Sequence, residues 1–298
     1  MNDSTARRFA STRRPAAVLG ALSLGAVGLA VPAAADTDDS GDIGTQSVEE
    51  YVSVDVLAFN DFHGRLTQGG QSAGAAVLAG AADAVRAENE DTVLVSAGDN
   101  IGASTFVSMV QEDTPTIEAL NAMDLFASAV GNHEFDRGAD DLTGRVTDLA
   151  DFPYLVANVD GDLPNIDEYA IYESPNGVSV GFIGVVTEDV PSLVTPAGIE
   201  GLEFTDMSAA ANRVAAQLSD GDADNGEADV VVVLAHEGAG GTSVEDATGD
   251  SDYGDLVNNA ENIDAIVSGH THQLYNHEIN GMQVTSGSQY GEHLTRLT

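Results

Sequence analysis

Short apolar runs alternate with segments of helical periodicity along most of the chain, and this alternation limits the possible folds more than any other feature. The segments at 73–90 and 205–220 carry apolar residues at helical spacing. Strand-like runs lie before, between and after them, at 52–59, 91–98, 126–130, 181–186, 229–235 and 263–269. The pattern predicts a layered α/β fold in which helices flank β-sheets. With 298 residues, 43% of them hydrophobic, the chain can bury such a core.

Five of these strand-like runs are followed directly by side chains of the types that bind metals. The stretches are "FNDFHG", "SAGDN", "AVGNHEFDRG", "LAHEG" and "SGHTHQ", and they contain five of the seven histidines. Ligands of open α/β sheets gather at the carboxyl ends of the strands, so these side chains should share one crevice. The candidate ligands are Asp61, His63, Asp99, His236, His270 and His272, together with the group of Asn132, His133, Glu134 and Asp136.

Each position has an ordinary interpretation when it is taken alone. His236 or Asp61 by itself is more typical of a surface or capping residue than of a metal ligand. The repetition of one arrangement after five strand-like runs favours the shared site. His277 and His293 lack this setting and are predicted to be surface residues. A glycine precedes Asp99, Asn132 and His270, where it allows a sharp turn or the close approach of a bulky group.

The ligand types limit the chemistry of the site. The chain contains no cysteine, which excludes disulfides, thiolate ligands and a cysteine nucleophile. Imidazole and oxygen donors suit zinc, manganese, iron or a similar ion. An aspartate can bridge two ions, and such a pair stabilises both the attacking and the leaving oxygen of an in-line displacement. Two divalent ions outweigh the charge of Asp61 and Asp99, so the site should attract phosphate.

The rest of the molecule is strongly acidic. The chain has 49 acidic residues against 10 basic ones, all arginine, and a formal net charge of −39. Without residues 1–35, 48 acidic and 6 basic residues remain, which gives −42. A negative field of this size excludes nucleic acid or an anionic membrane as a partner bound by the general surface. We favour a solvated surface, with or without adaptation to salt, over a specific role of these acids in binding cations.

The first 35 residues have the pattern of a secretory signal peptide. Four arginines precede an apolar stretch from 16 to 31, and small residues follow it. This apolar stretch is short for a membrane-spanning anchor, which is the alternative interpretation. The two Arg-Arg pairs also permit twin-arginine export. Residues 36–50 are acidic and are predicted to be a disordered N-terminus of a secreted protein, and 51–298 to be the catalytic domain.

The five stretches, in this order, resemble those of the calcineurin-like metallophosphoesterases, and more closely the 5'-nucleotidase branch of that superfamily. The resemblance covers roughly residues 52–298, and "GSQYGEHLTRL" near the end adds to it. It implies a secreted hydrolase with two divalent ions that releases phosphate from nucleoside monophosphates. Small-molecule phosphoesters would then be its substrates.

The resemblance also implies a role for each residue of the motifs. One ion would be bound by Asp61, His63 and His272, and the other by Asn132, His236 and His270, with Asp99 as the bridge between them. His133 would be the catalytic histidine, which binds no metal, and Asp136 would orient it and keep it protonated. Glu134 would support the site rather than act in catalysis. Arg65 and Arg137, which lie beside predicted ligands, are candidates for binding the substrate phosphate.

Several alternatives stay open. In the nucleotidase branch a second, C-terminal domain binds the base, and this chain ends at Thr298 without one, so we interpret it as a fragment. A catalytic domain that works alone, with looser substrate choice, is the alternative. The same site would also suit a 2',3'-cyclic nucleotide phosphodiesterase or a UDP-sugar hydrolase, and less well a thiosulfohydrolase. A noncatalytic metal-binding or nucleotide-binding module is a further alternative, although such a module would need neither His133 nor Asp136.

Overall fold

The computed structural model describes residues 52–222 and 224–298. The predicted leader (1–35) and the predicted disordered segment (36–50) lie outside these residues. In chain order, the strands are β1 (Asp55–Phe59), β2 (Thr92–Ser96), β3 (Ala127–Ala129), β4 (Tyr154–Leu155), β5 (Val159–Asp160), β6 (Tyr169–Glu173), β7 (Ser179–Val186), β8 (Glu203–Phe204), β9 (Val230–His236), β10 (Ala265–Ser268), β11 (Leu274–Ile279), β12 (Met282–Gly287) and β13 (Thr295–Leu297).

The strands form two main sheets. The first has the order β13-β1-β2-β3-β4, in which β1 to β4 are parallel and β13 is antiparallel to β1. The second has the order β11-β12-β10-β9-β7-β6, with four parallel central strands and antiparallel strands at both edges. Strands β5 and β8 form a separate antiparallel pair. Parallel pairing brings the carboxyl ends of the central strands of each sheet to one edge.

Most helices are short. They are α1 (Ala75–Glu88), α2 (Phe106–Met109), α3 (Thr114–Ala122), α4 (Ala139–Asp141), α5 (Thr147–Leu149), α6 (Val190–Leu193), α7 (Met207–Gln217), α8 (Val244–Ala247) and α9 (Asp252–Asn258). A π-helical segment (Leu142–Val146) joins α4 to α5, and 3₁₀ turns occupy His133–Phe135 and Pro196–Ile199. Within the described residues, none of these helices has the length and apolar character needed to span a bilayer.

The two sheets pack against each other. Successive side chains of β1 point alternately into two different cores. Val56 and Ala58 belong to a core that also contains Phe182 of the second sheet. Leu57 and Phe59 point the other way, into a core shared with α1 and α3. Both faces of β1 are therefore buried, which stabilises the fold by about 1.5–3 kcal/mol for each large apolar side chain. On the far side, the second sheet packs on α7 and α9.

The predicted layered α/β fold is confirmed, and so is the strand or helix type of every run on which it was based. The helical segment at 205–220 contains α7, whose N-terminus is capped by the Asp206 side chain, an acceptor for the N–H of Ala209 at 2.9 Å. The five runs that carry the ligands are divided between two sheets: β1, β2 and β3 belong to the first, and β9 and β10 to the second. Hydrophobic periodicity identifies a strand but not its neighbours, so the sequence did not show this division.

Candidate metal centre

The ligand-type side chains lie in loops at the carboxyl ends of β1, β2, β3, β9 and β10, where the edges of the two sheets meet. Asp61, His63 and His272 form one group, in which one nitrogen or oxygen atom of each residue lies within 4.8 Å of the others. Asp99, His236 and His270 form a second group by the same measure. Residues that are far apart in the sequence thus converge into two adjacent clusters.

Asp99 lies between the two clusters. Its Oδ2 is 3.1 Å from Nε2 of His236 and 3.7 Å from Nε2 of His63. In the first cluster, Nε2 of His272 is 3.1 Å from Oδ1 of Asp61. In the second, Nε2 of His236 is 3.1 Å from Oδ1 of Asn132, which places the amide oxygen beside the imidazole. All seven predicted ligands are therefore brought together.

Hydrogen bonds around the clusters orient two of the imidazole rings. Nδ1 of His63 donates to the carbonyl oxygen of Gly102 at 2.9 Å, and Nδ1 of His236 donates to that of Ala97 at 2.8 Å. In the neutral ring, each bond selects the tautomer in which Nε2 carries no proton and can offer a lone pair to a metal ion. Such nitrogens, together with buried carboxylates, form a donor set that fits divalent first-row metal ions.

The buried acidic and imidazole groups of the clusters shift one another's pKa values. Asp61 and His236 are 0% exposed, and Asp99 is 2% exposed. Burial disfavours the charged forms of Asp99 and His236, but their mutual attraction is stronger, so the pKa of Asp99 is lowered and that of His236 is raised. Buried carboxylates of this kind need a cationic partner, and a metal ion would provide one.

The backbone of the ligand loops is strained. Left-handed φ angles between 47° and 65° occur at five of the seven predicted ligands, namely Asp61, His63, Asp99, His270 and His272. Residues with a Cβ adopt this region at a cost, and such residues are concentrated at functional sites. Hydrogen bonds hold the loops in place: the N–H of His63 donates to Asp99 O, and that of His270 to Asp61 Oδ2, both at 3.0 Å. No local pattern in the sequence indicates this strain.

Two glycines next to the ligands are required by the space around them. Gly98 has a φ of +90°, and a Cβ there would lie 2.7 Å from Nδ1 of His236. At Gly131 the φ is ordinary, but a Cβ would overlap the Asp99 carboxylate. The bulky groups that approach these glycines are thus ligand side chains from neighbouring loops.

The Glu134 side chain links the loop after β2 to the loop after β3 through hydrogen bonds. Its buried carboxylate accepts the N–H groups of Gly131 at 2.6 Å, and of Asp99 and Asn100 at 2.9 Å. Burial raises the pKa of this carboxyl, and the nearby charge of Asp99 raises it further. The bonds fix the main chain on both sides of Asp99 and so determine where its side chain points.

His133 and Asp136 lie beside the clusters at the edge of a cleft of about 630 Å³. Nδ1 of His133 donates to Oδ2 of Asp136 at 2.9 Å, and this bond raises the pKa of His133 to about 8, although partial burial opposes the rise. The ring of His133 lies 5.1 Å from that of His63. His63, Asp99 and His133 also meet the distance criterion for a metal group, so the absence of metal on His133 stays a prediction.

The two arginines predicted to bind substrate lie in different surroundings. Arg137 lines the cleft beside His133 and pairs loosely with Glu112, with 3.6 Å between Nη1 and Oε1. Arg65 is half-buried, and its guanidinium carbon lies 3.9 Å from the centre of the Tyr290 ring. Of the two histidines predicted to be surface residues, His293 is exposed, whereas His277 is half-buried and stacks on the ring of Tyr275.

Two further residues, which were not predicted as parts of the site, contact the ligands. Asn60 donates from Nδ2 to Oδ2 of Asp61 and to the carbonyl oxygen of Ser288, both at 2.6 Å. Tyr290 follows β12 and places its ring against His63 and His272. The only signal for Asn60 was its position between a strand and a ligand. Tyr290 lies in the stretch "GSQYGEHLTRL", which adds to the resemblance, but no local pattern marks it as a neighbour of the ligands.

Comparisons with known proteins agree with this geometry. The family model for the calcineurin-like phosphoesterases matches residues 54–274. The chain is 32% identical over 278 residues to the endonuclease YhcR of Bacillus subtilis, a match that covers 82% of the chain and 22% of the relative. It is 28% identical over 243 residues to a 5'-nucleotidase of Vibrio vulnificus, which covers 77% of the chain and 43% of the relative.

Among solved structures, the chain is similar to the calcineurin-like phosphoesterase YfkN of Bacillus subtilis, with a TM-score of 0.66 and 27% identity. The similarity covers 81% of the chain and 83% of that structure. The chain spans less than two thirds of the length of the first curated relatives it matches, between 22% and 60%.

Proposed function

The chain belongs to the calcineurin-like phosphoesterase family and is a metal-dependent phosphoric-ester hydrolase, and from this premise we propose that it releases phosphate from nucleoside 5'-monophosphates. One observation carries the proposal: the two clusters of ligand atoms lie directly beside the hydrogen-bonded pair of His133 and Asp136. A metal centre next to a positioned proton donor is the arrangement that ester hydrolysis requires.

The buried side chains would hold two divalent ions, such as zinc, manganese or iron. One ion would be held by Asp61, His63 and His272, and the other by Asn132, His236 and His270. Asp99, which lies near ligands of both ions, would be shared by them. The chemistry that two such ions supply when bound is attraction of the phosphoryl group and activation of water as a nucleophile near neutral pH.

The residues of the chain supply the remaining steps. His133 faces the cleft, and its hydrogen bond to Asp136 favours the protonated ring. As the bond between phosphorus and the ester oxygen breaks, His133 gives its proton to the departing oxygen, which leaves as the alcohol. Asp136 keeps the ring oriented and stabilises its positive charge. Arg137 in the cleft and Arg65 near the first cluster would contact phosphate oxygens.

Support for a nucleotide substrate comes from the Vibrio vulnificus relative, which is a 5'-nucleotidase. Hydrolysis of a phosphodiester is the second candidate, because the relative with 32% identity is an endonuclease. A 2',3'-cyclic nucleotide or a UDP-sugar fits that candidate better than a nucleic acid does, since the negative surface repels a polyanion.

A panel of substrates tests the proposal. The purified chain, reconstituted with manganese or zinc, is assayed with AMP, 2',3'-cyclic AMP, UDP-glucose, a chromogenic bis-ester and duplex DNA. Preferred release of phosphate from AMP is the expected result. Preferred cleavage of the cyclic or bis-ester substrates would establish the second candidate instead, and no turnover of any substrate with both metals bound would refute hydrolysis.

Secretion is also proposed, from the leader pattern in residues 1–35, which lie outside the described part of the chain. Appearance of the processed protein in the medium of an expressing culture is the test. Replacement of Arg13 and Arg14 by lysine distinguishes the two export routes, because only the twin-arginine route depends on that pair.

A further inference from the structure

Arg65 differs from the other arginines in its surroundings. The part of the chain that the structure describes contains six arginines, and five of them lie within 4.0 Å of a carboxylate. Arg65 alone has no such partner among these residues. Since the chain carries 49 acidic residues, this is an unusual position for a cation. Its Nε is also buried, and no hydrogen-bond partner for it lies within residues 52–222 and 224–298.

An aromatic ring takes the place of the missing carboxylate. The guanidinium carbon of Arg65 lies 3.9 Å from the centre of the Tyr290 ring, which is the distance of a cation–π contact. A contact with the ring face leaves the N–H groups in the guanidinium plane free for other acceptors. Tyr290 therefore holds the cation in position without neutralising its charge.

Tyr290 is itself fixed to the predicted metal ligands. Its ring lies edge-on to the rings of His63 and His272, with centroid distances of 5.9 and 5.7 Å. Its backbone N–H donates to the carbonyl oxygen of Asp61 at 2.8 Å, and its φ of 58° is in the left-handed region. Tyr290, in the segment after β12, is thus hydrogen-bonded to the loop after β1. The same ring that contacts Arg65 also contacts two of the predicted ligands.

We propose that Tyr290 is a positioning residue that holds Arg65 beside the first cluster, with its guanidinium available to donate to the nonbridging oxygens of a phosphoryl group. The inference rests on the proposed function, which places the substrate phosphate at these clusters. It assigns a role to the segment after β12 and explains why Arg65 has no carboxylate partner. An acid in the place of Tyr290 would compete with phosphate for the same N–H groups.

Inhibition by inorganic phosphate tests this inference. The variants Arg65→Ala, Tyr290→Leu and Tyr290→Phe and the double variant of Arg65→Ala with Tyr290→Leu are compared with wild type in the metal-loaded enzyme. We expect the first two to weaken phosphate binding by about 10- to 100-fold, the range for loss of charge-assisted hydrogen bonds. Tyr290→Phe keeps the ring and should stay within about threefold of wild type. The double variant should be no weaker than Arg65→Ala alone.

Two controls separate this role from a purely structural one. Arg213→Ala removes an arginine that pairs with Glu168, and it should leave phosphate inhibition unchanged. Metal content should remain at the wild-type level in every variant. If Tyr290→Leu does not fold, Arg65→Lys takes its place, because lysine keeps the charge but loses the planar contact, and it should weaken phosphate binding several-fold.

A second readout requires neither activity nor metal. The chain has ten arginines, so their Nε–Hε groups give few NMR signals. The ring current of Tyr290 should shift the Arg65 signal upfield in wild type and Tyr290→Phe, but not in Tyr290→Leu. The inference would be overturned if the Arg65 signal were the same in all three proteins. It would also be overturned if the double variant lost phosphate affinity by the sum of the two single losses. Failure of every substrate in the wild type would refute the proposed function while leaving this spectral test intact.

Discussion

Nδ1 of His133 lies 2.9 Å from Oδ2 of Asp136, and the same carboxylate oxygen accepts the backbone N–H of Ala103 at 3.2 Å. The imidazole is therefore oriented from outside the ligand clusters, by a carboxylate that is itself held by the loop after β2. From the other side, the N–H of His133 donates to Oδ1 of Asp99 at 2.9 Å. The catalytic candidate and the bridging candidate are thus coupled through one short segment.

The first prediction concerns His133→Ala. We expect kcat to fall by about 10²- to 10³-fold, or about 2.7–4 kcal/mol, the usual cost of removing one group that stabilises charge in the transition state. Both metal ions should remain bound, because the seven predicted ligands are intact and the His133 ring, which its bond to Asp136 keeps protonated, has no lone pair to offer a metal ion. Steady-state kinetics and elemental analysis measure the two quantities. Loss of one equivalent of metal would show instead that His133 is a ligand.

The second prediction concerns Asp99→Asn, which should lose metal, in contrast to His133→Ala. The amide removes the charge that lies between the two clusters, so we expect lower metal occupancy. Wild-type protein should gain about 2.7 kcal/mol of stability when free metal reaches a hundred times its dissociation constant, and the variant should gain clearly less at the same concentration. Thermal unfolding with and without manganese measures the gain, and Asp136→Asn is the matched control. Equal stabilisation of Asp99→Asn and wild type would contradict the bridging role.

The sequence predicted the chemistry of the site better than its geometry. Apolar runs followed by Asp, His and Asn identified which residues converge, because strand ends in α/β sheets meet at one edge. The contact between Arg65 and Tyr290 joins segments more than 200 residues apart, and no local pattern reports such a contact. The left-handed backbone at Asp61 and His272 is imposed by the assembled loops, against the local preference of those residues.

The fold, like the site, could be predicted from local sequence only in part. Strand β7, with an almost continuous apolar sequence, was predictable because both of its faces are buried. Edge strands such as β6 and β11 mix polar and apolar residues, and they were missed: β6 is half-buried along most of its length, and β11 exposes every second residue. Pairing between strands depends on the whole chain, so the division into two sheets could not be predicted from the runs themselves.

The third prediction compares two glycines. Gly131→Ala would place a Cβ against the Asp99 carboxylate, so we expect a loss of about 1–3 kcal/mol in unfolding free energy and reduced metal content. Gly144→Ala is the control, because no atom of the described residues outside its own helical backbone lies within 4 Å of its Cβ position and its φ is ordinary. That substitution in a helical segment should be neutral or stabilising, by up to about 1 kcal/mol. Urea unfolding and elemental analysis of both variants measure the effects, and equal results for the two would contradict the close-approach argument.

The last prediction concerns Asp55, a buried carboxylate that ties β13 to β1. Arg296 contacts both of its oxygens, from Nε at 2.9 Å and from Nη2 at 2.8 Å, and Thr298 donates to Oδ1 at 2.6 Å. The hydrogen bonds from Arg296 lower the pKa of Asp55 from its ordinary value of 3.8 to about 2, although burial opposes this shift. The charged form is therefore favoured by folding.

This shift has a defined sign in the stability of the protein. A lowered pKa in the folded state stabilises the fold at every pH above the ordinary value, and the stabilisation is lost as the pH falls through about 2. Asp55→Asn cannot ionise, so its urea midpoint should lie below that of wild type at pH 7, and the two should converge as the pH approaches 2. Both proteins are measured in chelator, so that protonation of the metal ligands affects them equally. Asp83→Asn, an exposed residue paired with Arg86, is the control and should match wild type at each pH. A gap between Asp55→Asn and wild type that stays constant down to pH 2 would show that the contribution of Asp55 does not depend on its charge.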